Sequence, residues 1–247
     1  MGFICCSMRL GGSVLVAAAA MASGCEKTVY LTIDTGSMGP AVEIAAVLKK
    51  QNVKATFFVA NEKTTRGDMS MDASWAPFWK GLVADGHAFG SHTFRHWYFR
   101  KDLAGGKVAY ISREGQRETL DRAGVCRELK KSEDTFRSLT GRGYDPIWRA
   151  PGGRTTPFTL KAAASCGFKE HVGWALAGFL GDELPSEKYP NKTLLANALR
   201  DIRDGDVLVM HLGIWSRKDP WWPMLEPLIA GLKAKGFCFA TIPERRR

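Results

Sequence analysis

The 247-residue sequence lacks several features that would place it in a common functional class. It has no CxxC pair among its six cysteines, which argues against a zinc–thiolate site. It has no run of ~20 apolar residues, the length that a membrane-spanning helix requires. No nucleic-acid-binding motif accompanies its formal net charge of +10, so we interpret the excess charge as a solvated basic surface and expect no nucleic-acid partner. No repeat, low-complexity tract or long linker interrupts the chain, which indicates one domain.

The first 25 residues differ in composition from the rest. Arg9 is their only charged residue, and an Ala-rich apolar stretch from Leu10 to Ala20 precedes several small residues. This order is typical of a secretory signal, although a buried N-terminal helix is an alternative. We therefore predict a signal peptide over residues 1–25, a mature domain over residues 26–247, and export to the periplasm, the cell exterior or a bacterial envelope.

The cysteines leave two questions open. Cys25 follows a Ser-Gly dipeptide, as in bacterial lipoprotein cleavage sites, so a lipid on Cys25 is the one membrane attachment that we expect. Cys126, Cys166 and Cys238 are dispersed through the body of the chain. In an exported protein one disulfide is expected among the cysteines, and three buried free thiols are the alternative.

Short apolar runs alternate with helical patterns along the chain, which indicates α/β layering. The β-rich run Val29–Ile33 predicts a strand, and Val207–Met210 predicts a buried parallel strand. Apolar residues fall on one helical face over Leu194–Ile202 and again over Met224–Leu232. The mostly polar segment Ile111–Leu139 predicts one long helix.

Polar side chains follow four of the predicted strands. Asp34, His92, Arg149 and His211 each come directly after a strand segment. The loops at the carboxyl ends of barrel strands converge, so we expect these four side chains to share one cleft.

His92 and His96 are the strongest local signal for a metal. Two histidines four residues apart on a helical turn can point the same way and share one ion. No glutamate follows His92 as in zinc proteases, so taken alone the pair is more typical of surface or core histidines.

Four motifs occur in a fixed order and together resemble a known family. They are Thr32-Ile33-Asp34-Thr35-Gly36, Ser91-His92 with His96, Arg149-Ala150-Pro151-Gly152-Gly153, and Leu208-Val209-Met210-His211. This ordered set resembles the polysaccharide deacetylases, carbohydrate esterase family 4, also called the NodB-homology domain, over roughly Val29 to Ile242. The resemblance implies an α/β fold, an irregular (β/α) barrel of about seven strands that is similar to a TIM barrel. It also implies metal-dependent removal of N-acetyl groups from a polysaccharide.

The resemblance assigns roles to the first two motifs and to the arginine. Asp34 matches the general base that activates the attacking water, and Arg149 matches the arginine that holds this base in place. His92 and His96 match two ligands of a divalent metal, for which we expect zinc.

The remaining motifs match the groups that stabilise the oxyanion, protonate the leaving amine and line the acetate pocket. The N–H of Gly152 matches a donor to the developing oxyanion, and His211 matches the general acid that protonates the leaving amine. Leu208 or Met210 would line the acetate pocket. Asp182 is expected to pair with either Arg149 or His211.

Three positions depart from the family pattern. Thr35 stands where the family has a second aspartate, and a neutral hydroxyl is a poorer ligand for a divalent cation, so we expect weak metal binding. No Asp-Trp pair is present to orient the catalytic histidine. Gly152 stands where the family often has an aromatic residue.

Several tryptophans follow the proposed site residues in sequence. We expect them to contact a sugar substrate, with burial in the core as the alternative. They are Trp97, Trp174, Trp215 and Trp221.

Two other functions remain open at the level of sequence. The retained motif residues favour an active deacetylase, whereas Thr35 favours a carbohydrate-binding pseudoenzyme that has lost its metal. A related hydrolase of C–N bonds in a small amide or a lipid-linked sugar is the third interpretation.

Overall fold

The structure is a computed structural model that describes residues 1–2 and 25–245. The predicted signal peptide therefore lies almost entirely outside the described residues, and its removal stays a prediction. Across the described ranges, no helix combines the length and the apolar character that crossing a membrane requires.

Ten strands and six α-helices form the domain within residues 25–245. The strands are β1 (Lys27–Asp34), β2 (Thr56–Val59), β3 (Ala88–Ser91), β4 (Tyr98–Leu103), β5 (Lys107–Ile111), β6 (Arg117–Leu120), β7 (Ile147–Trp148), β8 (Glu170–His171), β9 (Val207–His211) and β10 (Phe237–Phe239). The helices are α1 (Ala41–Lys50), α2 (Ala76–Ala84), α3 (Arg122–Thr140), α4 (Pro157–Ser165), α5 (Asn191–Asp201) and α6 (Leu225–Ala234).

Seven of the strands form one parallel, curled sheet. Its order is β10-β1-β2-β3-β7-β8, and β9 also pairs with β1. An isolated parallel bridge between Phe179 and Val209 continues the curl from the region after β8 toward β9. The predicted irregular (β/α) barrel is confirmed, in the form of a half-barrel flanked by helices.

The core explains why the central strand is so apolar. The last six residues of β1 are all buried, because helices cover one face of the sheet and the curl encloses the other. Ile44 and Leu48 of α1 and Leu228 and Leu232 of α6 are fully buried in the same cluster. Each such side chain contributes about 1.5–3 kcal/mol of hydrophobic stabilisation.

The predicted helix over Ile111–Leu139 is wrong in its first part. Ile111 is the last residue of β5, residues 112–116 form a turn, and Arg117–Leu120 form β6 of a separate antiparallel sheet, β4-β5-β6. Helix α3 begins only after Asp121, whose side chain accepts a hydrogen bond from the Gly124 amide. The alternation of buried and exposed residues in β5 is the strand signal that the overall polarity of the segment obscures.

The structure contains two disulfides, Cys25–Cys238 and Cys126–Cys166. The first joins the residues just before β1 to β10, and the second joins α3 to the end of α4. The alternative of three buried free thiols is therefore wrong for Cys126, Cys166 and Cys238, and two disulfides form where one was expected. A sulfur in a disulfide has no valence left for a lipid, so the structure also contradicts the predicted anchor at Cys25.

Candidate active site

The parallel register brings the motif residues to one edge of the sheet. Asp34 and His211 are register partners on β1 and β9. His92 and Arg149 follow the neighbouring strands β3 and β7, and each donates its backbone N–H to the adjacent strand. The four strand-end side chains therefore lie around the same carboxyl edge.

Asp34 and Arg149 form a buried ion pair in this cleft. Arg149 Nη1 lies 2.7 Å from Asp34 Oδ1, and both side chains are at most 4% exposed. Arg149 also donates to the carbonyl oxygens of Val172 and Gly173, which fixes the guanidinium. Burial favours the neutral acid, but Arg149, with help from His92 and His211, outweighs it and holds the pKa of Asp34 below its ordinary value.

Of its two expected partners, Asp182 pairs with His211 and not with Arg149. The ring Nδ1 of His211 lies 3.1 Å from Asp182 Oδ2, and the His211 backbone N–H donates to the same oxygen at 2.7 Å. Burial opposes the charged ring, but the Asp182 carboxylate, with Asp34 and Glu183, outweighs it and raises the pKa of His211 to about 9. Because Nδ1–H donates to Asp182, the ring presents Nε2 to the cleft.

His92 and His96 converge although the segment between them is an irregular bend and not the helical turn that their spacing suggested. His96 has a positive φ of 56°, and its Nε2 lies 3.2 Å from His92 Nε2. Of the other ring nitrogens, His92 Nδ1 lies 2.8 Å from the Arg149 carbonyl oxygen, and His96 Nδ1 lies at an ion-pair distance of 3.4 Å from Glu62 Oε1. With a proton on each Nδ1, both Nε2 atoms would be free to bind one ion.

This arrangement fits a divalent metal. Two nitrogens bound to zinc at about 2.0–2.1 Å in roughly tetrahedral geometry lie about 3.0–3.4 Å apart, which matches the observed spacing. A carboxylate oxygen is also close, since Asp34 Oδ2 lies 3.5 Å from His92 Nε2. Within residues 25–245, however, no three His, Cys, Asp or Glu side chains already surround a common point. The two histidines thus offer two nitrogen ligands, and a divalent cation bound there would need a negatively charged group nearby.

Comparison with known proteins identifies the family. The family described as "Polysaccharide deacetylase" matches residues 22–171, which is more than half of the chain. The chain belongs to the polysaccharide deacetylase family. The match covers the first three motifs, and the fourth, with His211, lies beyond it.

Two curated relatives of this deacetylase chain cover nearly all of it. The peptidoglycan-N-acetylmuramic acid deacetylase of Bacillus subtilis is 26% identical over 220 residues, which are 89% of this chain and 71% of the relative. The chitooligosaccharide deacetylase of Azorhizobium caulinodans is 24% identical over 231 residues, which are 88% of this chain and 94% of the relative.

Solved structures share the deacetylase fold. A carbohydrate esterase family 4 pseudoenzyme from Bacillus anthracis superposes with a TM-score of 0.66 at 21% identity over 88% of this chain, which spans 64% of that protein. A family 4 acetyl xylan esterase from Clostridium thermocellum, solved with a cobalt ion, gives a TM-score of 0.65 at 21% identity over 88% of this chain and 89% of its own.

Thr35 does not reach into the cleft of this deacetylase as a free ligand. Its side chain is buried, and its Oγ1 accepts a hydrogen bond from the Ala60 amide at 3.1 Å. The hydroxyl therefore serves the backbone that follows β2, which agrees with the expectation that Thr35 is a poor substitute for an aspartate ligand.

Gly152 and Gly153 allow two aromatic rings to approach the backbone. Gly152 has a φ of 62°, and a Cβ added to it would lie 3.2 Å from Tyr98 Cε1. A Cβ on Gly153 would lie 2.9 Å from the Trp174 ring. Tyr98 thus occupies space beside the position where the family often has an aromatic residue, and its ring centroid lies 6.2 Å from that of His96.

A cavity of about 320 Å³ opens on the His211 side of the cleft. Asp182, Met210 and His211 line it together with Trp221, whose side chain is otherwise buried. Leu208, the other predicted wall residue, is fully buried in the main core. Of the two candidates for this wall, the structure therefore places Met210 at the cavity and Leu208 beneath it.

The predicted aromatic contacts divide into distinct environments. Trp97 packs against Tyr110 of β5 in a tilted arrangement, with ring centroids 5.4 Å apart, and the Arg95 guanidinium lies over its ring. Trp215 is 56% exposed on the loop after β9, and its contact with substrate stays a prediction.

One polar neighbour of the site escaped the sequence interpretation. Glu62 lies three residues beyond β2 in a segment without any motif, so no local pattern indicated its contact with His96, which is 34 residues further along the chain. Of the two adjacent rings Trp97 and Tyr98, the structure shows that Tyr98 neighbours His96.

Proposed function

We propose that this chain is an exported, metal-dependent hydrolase that removes N-acetyl groups from an N-acetylated cell-wall glycan or related polysaccharide. Family membership supports the hydrolase class, and the names of two relatives support an N-acetylated glycan substrate.

One observation carries the proposal: a carboxylate and an imidazolium stand in register on adjacent strands with opposite pKa shifts. The pKa of Asp34 is lowered and that of His211 is raised to about 9, so near neutral pH Asp34 is ionised and His211 is protonated. Hydrolysis of an amide needs this combination, because a base must take a proton from water and an acid must give one to the amine.

The chain's own groups account for each proton. Arg149 holds Oδ1 of Asp34, which leaves Oδ2 to accept the proton of the attacking water. Nε2–H of His211 then donates to the nitrogen of the breaking amide bond, while Asp182 stabilises the charged ring through Nδ1–H. The Gly152 N–H is the proposed donor to the oxyanion, and preorganised donors of this kind lower the barrier most.

His92 and His96 would hold the metal through their Nε2 atoms, and we propose zinc because imidazole ligands suit it. When bound there, a divalent metal polarises the amide carbonyl and lowers the pKa of the attacking water.

The two disulfides support export. Disulfides persist in oxidising compartments and are rare in the cytosol, so Cys25–Cys238 and Cys126–Cys166 fit a protein that functions outside the cytoplasm. The predicted secretory signal is consistent with this location, but a mature chain that contains the Cys25–Cys238 bond must keep Cys25, so we propose that cleavage falls before Cys25 and not after it.

Acetate release from N-acetylated chitooligosaccharides and from peptidoglycan tests the proposal. Wild-type protein is expected to release acetate, and Asp34→Asn and His211→Ala are each expected to lower the rate by about 10²–10⁴-fold, the usual contribution of general acid–base catalysis. Equal rates for wild type and both variants would show that the cleft is not the site of hydrolysis.

A carbohydrate-binding pseudoenzyme is the second candidate, and the buried Thr35 hydroxyl, which accepts from the Ala60 amide, is the observation that favours it. In that case the wild type binds the same oligosaccharides but releases no acetate with zinc or cobalt present. Binding and release measured on one preparation distinguish the two functions.

A further inference from the structure

Glu62 is an acidic side chain beside the histidine pair that the motif pattern does not include. Its Oε1 lies 3.4 Å from His96 Nδ1, on the side of the ring opposite to the shared Nε2 point. Its Oε2 is one of four buried side-chain polar atoms that have no hydrogen-bond partner among the described residues. A buried carboxylate oxygen without a partner is costly, so a nearby positive charge would stabilise it.

The backbone around Glu62 is fixed against the histidine loop. The Glu62 amide donates to Ser70 Oγ at 2.9 Å, and the Glu62 carbonyl accepts from the Ser70 amide at 2.7 Å. The preceding Asn61 amide donates to the Phe94 carbonyl, between the two histidines, at 2.8 Å. The carboxylate therefore has a defined position next to His96.

Thr35 contributes to this position. Its hydroxyl accepts from the Ala60 amide, two residues before Glu62. The residue that stands in place of the family's ligand aspartate thus anchors the segment that carries a different carboxylate toward the same histidine pair.

Glu62 supplies a negative charge that the other acidic residues of the cleft do not have to spare. Asp34 is already neutralised by Arg149, and Asp182 by the protonated His211. Two neutral imidazoles and the Thr35 hydroxyl add no negative charge for a divalent cation. Glu62 is the carboxylate at this cluster that has no cationic partner of its own when His96 is neutral.

We propose that Glu62 is a positioning residue that replaces the negative charge lost at Thr35. Its carboxylate lies beside Nδ1 of His96 and favours a proton on that nitrogen, which keeps the Nε2 lone pair available to the metal, and its charge offsets that of the cation. This inference rests on the proposed function, because it assumes that the histidine pair binds a divalent metal.

Titration of metal-free, disulfide-bonded protein with Co²⁺, followed by visible absorption and without substrate, tests the proposal. Glu62→Gln is expected to weaken Co²⁺ binding by about 10–100-fold, the usual effect of removing a partner of a ligating histidine. Thr35→Asp is expected to restore most of that loss in the Glu62→Gln background and to change the wild-type affinity much less. Glu114→Gln, an equal change of charge in an exposed turn, is the matched control and should bind like wild type.

The ring of His96 provides a readout that a merely structural role would not affect. Nitrogen NMR of the metal-free protein should show His96 with its proton on Nδ1 in the wild type and in Glu62→Gln, whose amide oxygen still accepts. In Glu62→Ala the proton should redistribute toward Nε2. Thermal unfolding of every variant shows that each is folded before its affinity is compared.

The outcomes separate this inference from the proposed function. Suppose that the wild type binds Co²⁺ and releases acetate, and that Glu62→Gln binds Co²⁺ with an affinity within twofold of the wild type. That result would overturn the role of Glu62 and leave the proposed function standing. A folded wild type that binds no Co²⁺ would overturn both. Failure of Thr35→Asp to rescue Glu62→Gln would show that the two positions do not supply the same charge, and would also overturn the inference.

Discussion

Asp34 and His211 occupy the same register on the adjacent parallel strands β1 and β9, and each is paired with a different charged residue. Arg149 holds Asp34 and Asp182 holds His211, at 2.7 and 3.1 Å. The two pairs keep a base and an acid side by side without neutralising each other.

The pH profile should depend on Asp182. An acid acts only in its protonated form, so with the pKa of His211 raised to about 9, activity should be lost as the pH rises through about 9. Asp182→Asn removes the main stabilising charge, so the alkaline limb of kcat/KM should move to lower pH by about 1–3 units. Glu183→Gln, whose contribution to this pKa is smaller, should move it less. An alkaline limb that is the same in wild type and Asp182→Asn would contradict the role of His211 as the acid.

Gly152 should tolerate no side chain. Gly152→Ala is expected to destabilise the fold by about 1–2 kcal/mol from its left-handed backbone alone. It should also lower acetate release, because the new Cβ would lie 3.2 Å from the Tyr98 ring beside His96. Gly115→Ala, also at positive φ but with open space around its Cβ, should show the stability loss without the loss of activity. Tyr98→Ala should restore part of the activity of Gly152→Ala, and no recovery would argue against the Tyr98 contact.

The Cys126–Cys166 bond should stabilise the packing of α3 on α4. It closes a loop with a sequence separation of 40, for which removal typically costs about 2–4 kcal/mol. Urea unfolding of the double variant Cys126→Ser/Cys166→Ser should show this loss, and reductant, which also breaks Cys25–Cys238, should destabilise the wild type at least as much. Equal midpoints for oxidised wild type and the double variant would show that the bond does not form.

Cys25 should be found joined to Cys238 in the exported protein. Peptide mapping of protein purified without reductant should give a linked pair of peptides that contain these two residues, and reduction should separate them. A lipid-modified Cys25 peptide would contradict the disulfide and return the chain to the lipoprotein class.

The sequence allowed prediction of the strand-end residues because their signal is local. A buried strand followed by one polar side chain marks Asp34, His92, Arg149 and His211, and parallel strands bring such ends together. Asp182 was predicted with two possible partners, since its distance from either is set by the loop after β8. Only the structure shows that it binds His211.

The parts that sequence analysis missed depend on contacts between distant segments. Glu62 carries no motif, and its importance comes from the face of the histidine loop that it contacts. Cys25 was grouped with the signal because it follows small residues, whereas its partner Cys238 is 213 residues away. Strand β6 and the turn before it were interpreted as the start of a helix because the segment is mostly polar.

Removal and return of metal test the central claim most directly. Wild-type protein is stripped with a chelator, dialysed, and assayed for acetate release from an N-acetylated chitooligosaccharide while zinc or cobalt is added in steps. The account predicts that release is abolished by stripping and returns in proportion to metal up to one ion per chain, with Asp34→Asn as the inactive, folded control. Full acetate release by the stripped protein, or none at any metal concentration, would contradict a metal-dependent deacetylase.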